Sequence, residues 1–136
     1  MNQQLTPRAT PCGSCPYRKD VPSGIWHPEE YAKLPLYDKP TAEQPMGLFM
    51  CHCGGGQKVC RGWLDVHDPS ELLAVRLAVL QGTLAPETAT MTKSPIALFS
   101  SGREACDHGM RDVAAPGSQA VAAITKLQQS LRKSRP

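Results

Sequence analysis

The amino-acid sequence predicts a small, mainly α-helical domain with irregular loops, in which a loop-rich N-terminal half packs on about three C-terminal helices. Three observations support this fold class. Glycine and proline are abundant, with 11 and 13 residues, and most of them precede residue 70. Five of the six cysteines also precede residue 70. After that point, apolar residues recur at the spacing of helices.

A single domain is expected, because 136 residues is an ordinary size for one folding unit. Within residues 1–136 we expect a cysteine-rich metal-binding half, residues 1–67, and a helical half with a basic tail, residues 68–136. Aromatic residues make up only 5% of the chain. The loop-rich half therefore has little material for an apolar core, and a cross-link through its cysteines is needed to hold its shape.

The N-terminal half contains signals for one short helix and one short strand. A helix is predicted from His27 to Leu34, with Pro28 at its first position and two glutamates in its first turn. The apolar residues 46–50 predict a brief strand that leads into Cys51.

The C-terminal half begins with a strong helix signal. Asp68, Pro69 and Glu71 match a capping box with proline at the first helical position. Residues 72–80 are apolar almost all round, which predicts the central core helix, and Gly82 fits its C-terminal cap.

Two further helices are predicted after residue 93. One starts at Ser94, is interrupted at Gly102 and continues over residues 104–110. The other starts at Ser118, and its apolar residues recur at helical spacing: Val121, Ile124, Leu127 and Leu131.

The cysteines before residue 70 form two groups with the character of metal ligands. Cys12 and Cys15 belong to a Cys-x2-Cys knuckle, and a second group lies between residues 51 and 60. Zinc is held tetrahedrally by four Cys or His ligands in structural sites, and the triple glycine at 54–56 lets the second loop close. The favoured ligands are Cys12, Cys15, Cys51 and Cys60, with Cys53 and His52 as substitutes.

The bound group can be either a Zn²⁺ ion or a [4Fe–4S] cluster. The Cys-x2-Cys pair favours Zn²⁺, whereas the longer spacing between residues 51 and 60 is also compatible with the four thiolates of a [4Fe–4S] cluster. Reduced cysteines without metal, a Cys-x2-Cys redox pair and disulfides are further alternatives. Cys106 precedes Asp107 and His108 on a predicted helix, and we expect it to be a buried thiol outside the site.

The charge pattern bears on partners and location. The net charge is +3, and the excess of basic residues lies after residue 68. A short basic tail can contact nucleic acid or an acidic protein, although it also suits a solvated helix end; it contains Arg132, Lys133 and Arg135. The N-terminus lacks a signal-peptide pattern, and no apolar run has the length of a membrane span. We therefore expect a cytoplasmic protein with no membrane partner.

Three sequence motifs resemble a small uncharacterised family from actinobacteria and their phages. They are the segment from Cys12 to Trp26 (CxxCPYRxDVPSGxW), the segment from Phe49 to His52 (FxCH) and the segment from Cys60 to Leu64 (CRGWL). The resemblance implies the four-cysteine set Cys12, Cys15, Cys51 and Cys60, and it makes Cys53 and Cys106 additional thiols. It implies no activity.

Three functional hypotheses follow from the residues. The favoured one is a non-enzymatic structural zinc module that mediates a protein or nucleic-acid interaction in a bacterial or phage regulatory context. The second is a [4Fe–4S] protein that senses redox state or oxygen. The third is a thiol or zinc enzyme, which is less favoured because no acid–base constellation accompanies the cysteines.

Overall fold

The computed structural model describes residues 4–51, 53 and 58–133, without the side chains of 130–133. Its helices and strands, in chain order, are β1 (Thr6–Pro7), α1 (Pro28–Lys33), β2 (Lys58–Val59), α2 (Arg61–Val66), α3 (Leu73–Leu80), α4 (Gly102–Met110) and α5 (Ser118–Lys133). Short 3₁₀ turns lie at Leu34–Asp38, Thr41–Glu43, Pro69–Glu71 and Pro86–Thr90. The predicted fold class is confirmed: the protein is mainly helical, loop-rich and small.

Backbone pairing joins the start of the chain to the segment around the second cysteine group. β1 is parallel to β2, with Thr6 opposite Lys58 and Pro7 opposite Val59. On the other side of β2, Met50 forms an antiparallel bridge with Val59. The backbone that follows β1, which leads to Cys12, is thereby held close to the backbone that carries Cys60.

Helix α1 packs closely on helix α4 because a glycine faces an aromatic ring. Tyr31 is buried, and a Cβ atom added at Gly109 would overlap its ring. The Tyr31 hydroxyl accepts hydrogen bonds from the backbone N–H groups of Ile25 and Trp26, each at 3.1 Å. The loop after the first cysteine pair is therefore fixed to both helices.

The predicted start of a helix at Ser94 is wrong. Leu98 instead forms an antiparallel bridge with Arg18, and the Phe99 N–H donates to the Tyr17 carbonyl at 2.9 Å, so this stretch is extended. Helix α4 begins at Gly102, where Ser101 is the N-cap and accepts from the Glu104 N–H at 3.1 Å. The extended stretch packs along the first cysteine loop.

The helix that the sequence predicts to start at Asp68 begins later in the chain. The Asp68 carboxylate accepts from the Ser70 N–H, but it caps a single 3₁₀ turn, and α3 begins only at Leu73. The prediction of a central core helix is also wrong in part, because Leu80 is 83% exposed and only one face of α3 is buried. Gly82 does follow the helix with a left-handed φ of +77°, as a C-terminal cap requires.

The starts of α1 and α5 agree with the sequence. Helix α1 begins at Pro28, and α5 begins at Ser118. In α5, Ala120 is buried against Val21 and Ile25, which follow the first cysteine pair, so a small second core lies there. None of the helices in the described part of the chain is both long and apolar enough to cross a membrane.

Candidate metal centre

The first cysteine pair sits on a tight turn. The Cys15 N–H donates to the Cys12 carbonyl at 3.0 Å, and the Arg18 N–H donates to the Cys15 carbonyl at 3.0 Å. Between the two cysteines, the Ser14 carbonyl accepts a hydrogen bond from the Trp26 indole N–H at 2.9 Å. Both thiols are buried, and Trp26 packs over the turn as an aromatic cover would.

The second cysteine group is delivered by an antiparallel pairing and a helix start. The Cys51 N–H donates to the Lys58 carbonyl at 2.7 Å, and the Cys60 N–H donates to the Phe49 carbonyl at 2.9 Å, which sets Cys51 and Cys60 near one another on adjacent segments. Cys60 is also the N-cap of α2, and its sulfur accepts from the Trp63 N–H at 3.4 Å. A sulfur in that position replaces the side-chain oxygen of an ordinary N-cap.

The sulfurs of the two groups meet. Cys12, Cys51 and Cys53 have Sγ atoms that all lie within 4.8 Å of one another, a group that can hold a metal ion. Cys53 Sγ lies 2.9 Å from Cys12 Sγ. Beside them, Cys15 Sγ lies 3.9 Å from Cys60 Sγ. The six cysteines, which all lie in the described part of the chain, are free thiols without a disulfide.

Electrostatics links the two contacts. The hydrogen bonds of Cys51 with Cys12 and Cys53 lower the pKa of Cys51 to about 2, and the hydrogen bonds of Cys12 with Cys51 and Cys53 raise the pKa of Cys12. In the second contact, the hydrogen bond between Cys15 and Cys60 lowers the pKa of Cys15, and it raises the pKa of Cys60. The negative charge of the Cys51 thiolate acts to raise the pKa of both Cys15 and Cys60, so the two contacts interact electrostatically.

Helix α2 approaches the first cysteine pair at a glycine. A Cβ atom added at Gly62 would overlap Cys15 Sγ and would lie 3.1 Å from Tyr17 Cβ. Tyr17 and Trp63 are fully buried on either side of this contact. The absence of a side chain at Gly62 is therefore what allows the two cysteine-bearing segments to touch.

A buried ion pair follows Cys60 directly in the chain, and the sequence analysis did not predict it. Arg61 and Asp65 are 7% and 6% exposed, and Arg61 Nε donates to Asp65 Oδ1 at 2.9 Å. The Arg61 guanidinium also donates to the Ala9 carbonyl at 3.0 Å and to the Thr92 carbonyl. The Asp65 carboxylate accepts from the Ser94 N–H at 3.0 Å. The i,i+4 spacing of Arg61 and Asp65 directly after Cys60 was the available signal.

An open cavity of about 530 Å³ borders the thiols on one side. Cys51 forms part of its wall, together with Phe49, Leu48 and Tyr37, and the Lys33 and Glu30 side chains stand at its edge as an ion pair at 3.0 Å. Cys51 is therefore a buried thiol that borders an open recess of the surface.

The remaining candidates differ in their placement. His52 and Arg135 lie outside the described residues, as do the side chains of Arg132 and Lys133. Cys106 is a buried core thiol and is not part of the group of three thiols found near one another.

Comparison with known proteins identifies the family but no function. The chain belongs to a family of unknown function, DUF6283, whose model matches residues 7–132. No curated protein matches the chain significantly. No solved structure does so either.

Proposed function

We propose that the protein is a non-enzymatic module in which Cys12, Cys15, Cys51 and Cys60 bind one structural Zn²⁺ ion. The observation that carries the proposal is the meeting of thiols from two distant segments: Cys12 Sγ lies within 4.8 Å of Cys51 Sγ, and Cys15 Sγ lies 3.9 Å from Cys60 Sγ, 45 positions away in the chain. These four thiols are also the most deeply buried of the five, each at most 7% exposed, whereas Cys53 is only half-buried.

The spacing of the thiols favours a single ion over a cluster. Two thiolates at about 2.3 Å from one tetrahedral zinc are about 3.8 Å apart, and the Cys15–Cys60 distance is 3.9 Å. A [4Fe–4S] cluster binds each thiolate to a different iron, which requires wider spacing. A set of four thiolates also leaves no open position, and an open position is what a catalytic zinc site needs.

The role of such a site is to cross-link loops that lack a large core. The zinc joins the backbone around Cys12 and Cys15 to α2 and to the segment at Cys51, and the surface so fixed is available for a partner. We take that partner to be a protein or a nucleic acid in a regulatory setting, with the tail residues Arg132, Lys133 and Arg135 supplying positive charge for it.

Metal analysis of anaerobically purified protein tests the site. We expect about one zinc per chain, a colourless solution and loss of the zinc in Cys60→Ser, because a tetrahedral site needs every thiolate. Cys106→Ser is the matched control and should keep its zinc. A brown protein with absorption near about 400 nm would establish the iron–sulfur alternative instead. Metal-free protein that keeps its fold would contradict both.

Binding to labelled duplex DNA, measured by fluorescence anisotropy over a range of salt concentrations, tests the partner. If the tail contacts phosphates, replacing Arg132, Lys133 and Arg135 by alanine should weaken binding and reduce the salt dependence by about one unit of slope per lost contact. Binding that is weak and unchanged in this variant favours a protein partner.

A further inference from the structure

The group of three thiols and the neighbouring pair together contain five cysteines, whereas a tetrahedral ion takes four ligands. The fifth is Cys53, which differs from the others in two ways. It is half-buried, whereas Cys12, Cys15, Cys51 and Cys60 are buried. It also approaches another thiol more closely than two ligands of one ion would, because its Sγ lies 2.9 Å from Cys12 Sγ against about 3.8 Å for a tetrahedral edge.

We propose that Cys53 is an oxidation site, at which a hydroperoxide generates a Cys12–Cys53 disulfide and thereby releases the metal. The inference rests on the proposed function, since it takes Cys12 as a ligand and Cys53 as the spare thiol. It deepens that function by making the structural zinc site responsive to peroxide.

The chemistry needs two thiols and one oxidant. In the first step the Cys53 sulfur attacks the O–O bond of the hydroperoxide; the thiol becomes a sulfenic acid, and the oxidant is reduced to an alcohol or to water. In the second step the Cys12 sulfur attacks the sulfenic sulfur, a Cys12–Cys53 disulfide forms and hydroxide departs from Cys53. Of the four thiolates that would hold the metal, only Cys15, Cys51 and Cys60 would remain.

The exposure of each thiol determines which one reacts first with the hydroperoxide. Sulfenic acid formation follows exposure, and Cys53 is the more accessible member of the touching pair. The partner thiol, Cys12, is already in contact with it, so the second step needs little movement. The disulfide then joins the same two chain segments that the metal joined, across 41 positions, so release of the ion is not followed by loss of the cross-link.

The test is zinc release from the metal-loaded protein on addition of hydrogen peroxide, followed with a chromophoric zinc chelator. We expect wild type to release zinc, a dithiol reductant to permit reloading, and Cys53→Ser to keep its zinc at rest but to release it about tenfold more slowly. Cys106→Ser controls for removal of a thiol outside the group and should behave as wild type does.

Tandem mass spectrometry of the non-reduced protein identifies the bond. Fragmentation is needed because Cys51 and Cys53 lie on one tryptic peptide, as do Cys12 and Cys15. The proposal expects Cys12–Cys53 as the first disulfide. A first disulfide elsewhere, equal release rates in wild type and Cys53→Ser, or a Cys53→Ser protein that cannot hold zinc would each overturn it. A metal-free wild type that still forms Cys12–Cys53 would contradict the zinc site and leave the oxidation site standing.

Discussion

At the scale of single residues, Gly62 is a position where helix α2 lies directly against Cys15. A methyl group in Gly62→Ala would push against Cys15 Sγ and the Tyr17 Cβ, both of which are buried. We expect a loss of about 2 kcal/mol in the free energy of unfolding, as for other overpacked sites, together with weaker zinc binding. Urea unfolding and a competition titration with a zinc chelator measure the two effects.

Gly47→Ala is the matched control for that substitution. A Cβ at Gly47 has no neighbour within 4 Å among the described residues, so the same chemical change should alter neither stability nor zinc affinity appreciably. If Gly62→Ala and Gly47→Ala were alike, the close approach of α2 to Cys15 would not be a feature of the folded protein.

The ion pair of Arg61 and Asp65 is the second position at this scale. Arg61→Lys keeps the charge but cannot reach the Asp65 carboxylate and the carbonyls of Ala9 and Thr92 together, because lysine has one nitrogen where arginine has a planar fork. Since buried acceptors would lose their donor, we expect a loss of about 3 kcal/mol. Urea unfolding at saturating zinc measures this loss of stability separately from any effect of metal loss.

Arg76→Lys is the corresponding change at the surface. Arg76 pairs with Glu71 at 3.2 Å, and both side chains are more than half exposed. A difference below about 0.5 kcal/mol is expected there. If Arg61→Lys and Arg76→Lys lost the same free energy of unfolding, burial of the Arg61 hydrogen bonds would add nothing to stability.

At the scale of elements, the start of α4 depends on a residue far away in the sequence. The Asp38 carboxylate accepts from the N–H groups of Gly102 and Arg103, each at 2.8 Å, and from His67 Nε2 at 2.9 Å. Asp38→Asn keeps the shape but removes the negative charge that suits a helix N-terminus. We expect a loss of about 1 kcal/mol, measured by thermal or urea unfolding. Asp107→Asn, within α4 and exposed, should cost much less.

This dependence also explains what the sequence can and cannot predict. Helices α1 and α5 begin where Pro28 and Ser118 predict them, because those signals lie within a few residues of the helix. The predicted helix start at Ser94 is wrong because the residues before Gly102 pair with the first cysteine loop, whereas Ser101 and Glu104 give a local N-cap signal at the true start. Long-range pairing of this kind leaves no local pattern.

The candidate site, like the helices, can be predicted from the sequence only in part. The knuckle at Cys12 and Cys15 and the second group at Cys51 and Cys60 are visible as spacings, so the sequence predicts a site made of cysteines from both segments. The contact of Cys53 with Cys12 is not, because it depends on how the two segments cross. Neither are the contacts of Arg61 with the carbonyls of Ala9 and Thr92, because these carbonyls lie on two other segments.

At the scale of the whole molecule, the cysteine-rich and helical halves interlock. Tyr31 packs on Gly109, Arg18 pairs with Leu98, and Val21 lies on the first turn of α5. Each of these contacts joins a residue before position 67 to one after it. The halves therefore should unfold together, although their compositions differ.

Removal of the proposed zinc ion tests that cooperation. Structural zinc contributes about 10–16 kcal/mol in small domains, which is as large as the whole stability of about 5–15 kcal/mol expected for a domain. Chelation under reducing conditions should therefore unfold most of the protein at 25 °C. Hydrogen exchange should show α1, α2 and α4 losing protection together, because α4 packs on α1 and α2 carries Cys60. Retained protection in α4 alone would mean that the helical half folds without the metal. Re-addition of zinc should restore protection in all three helices at once.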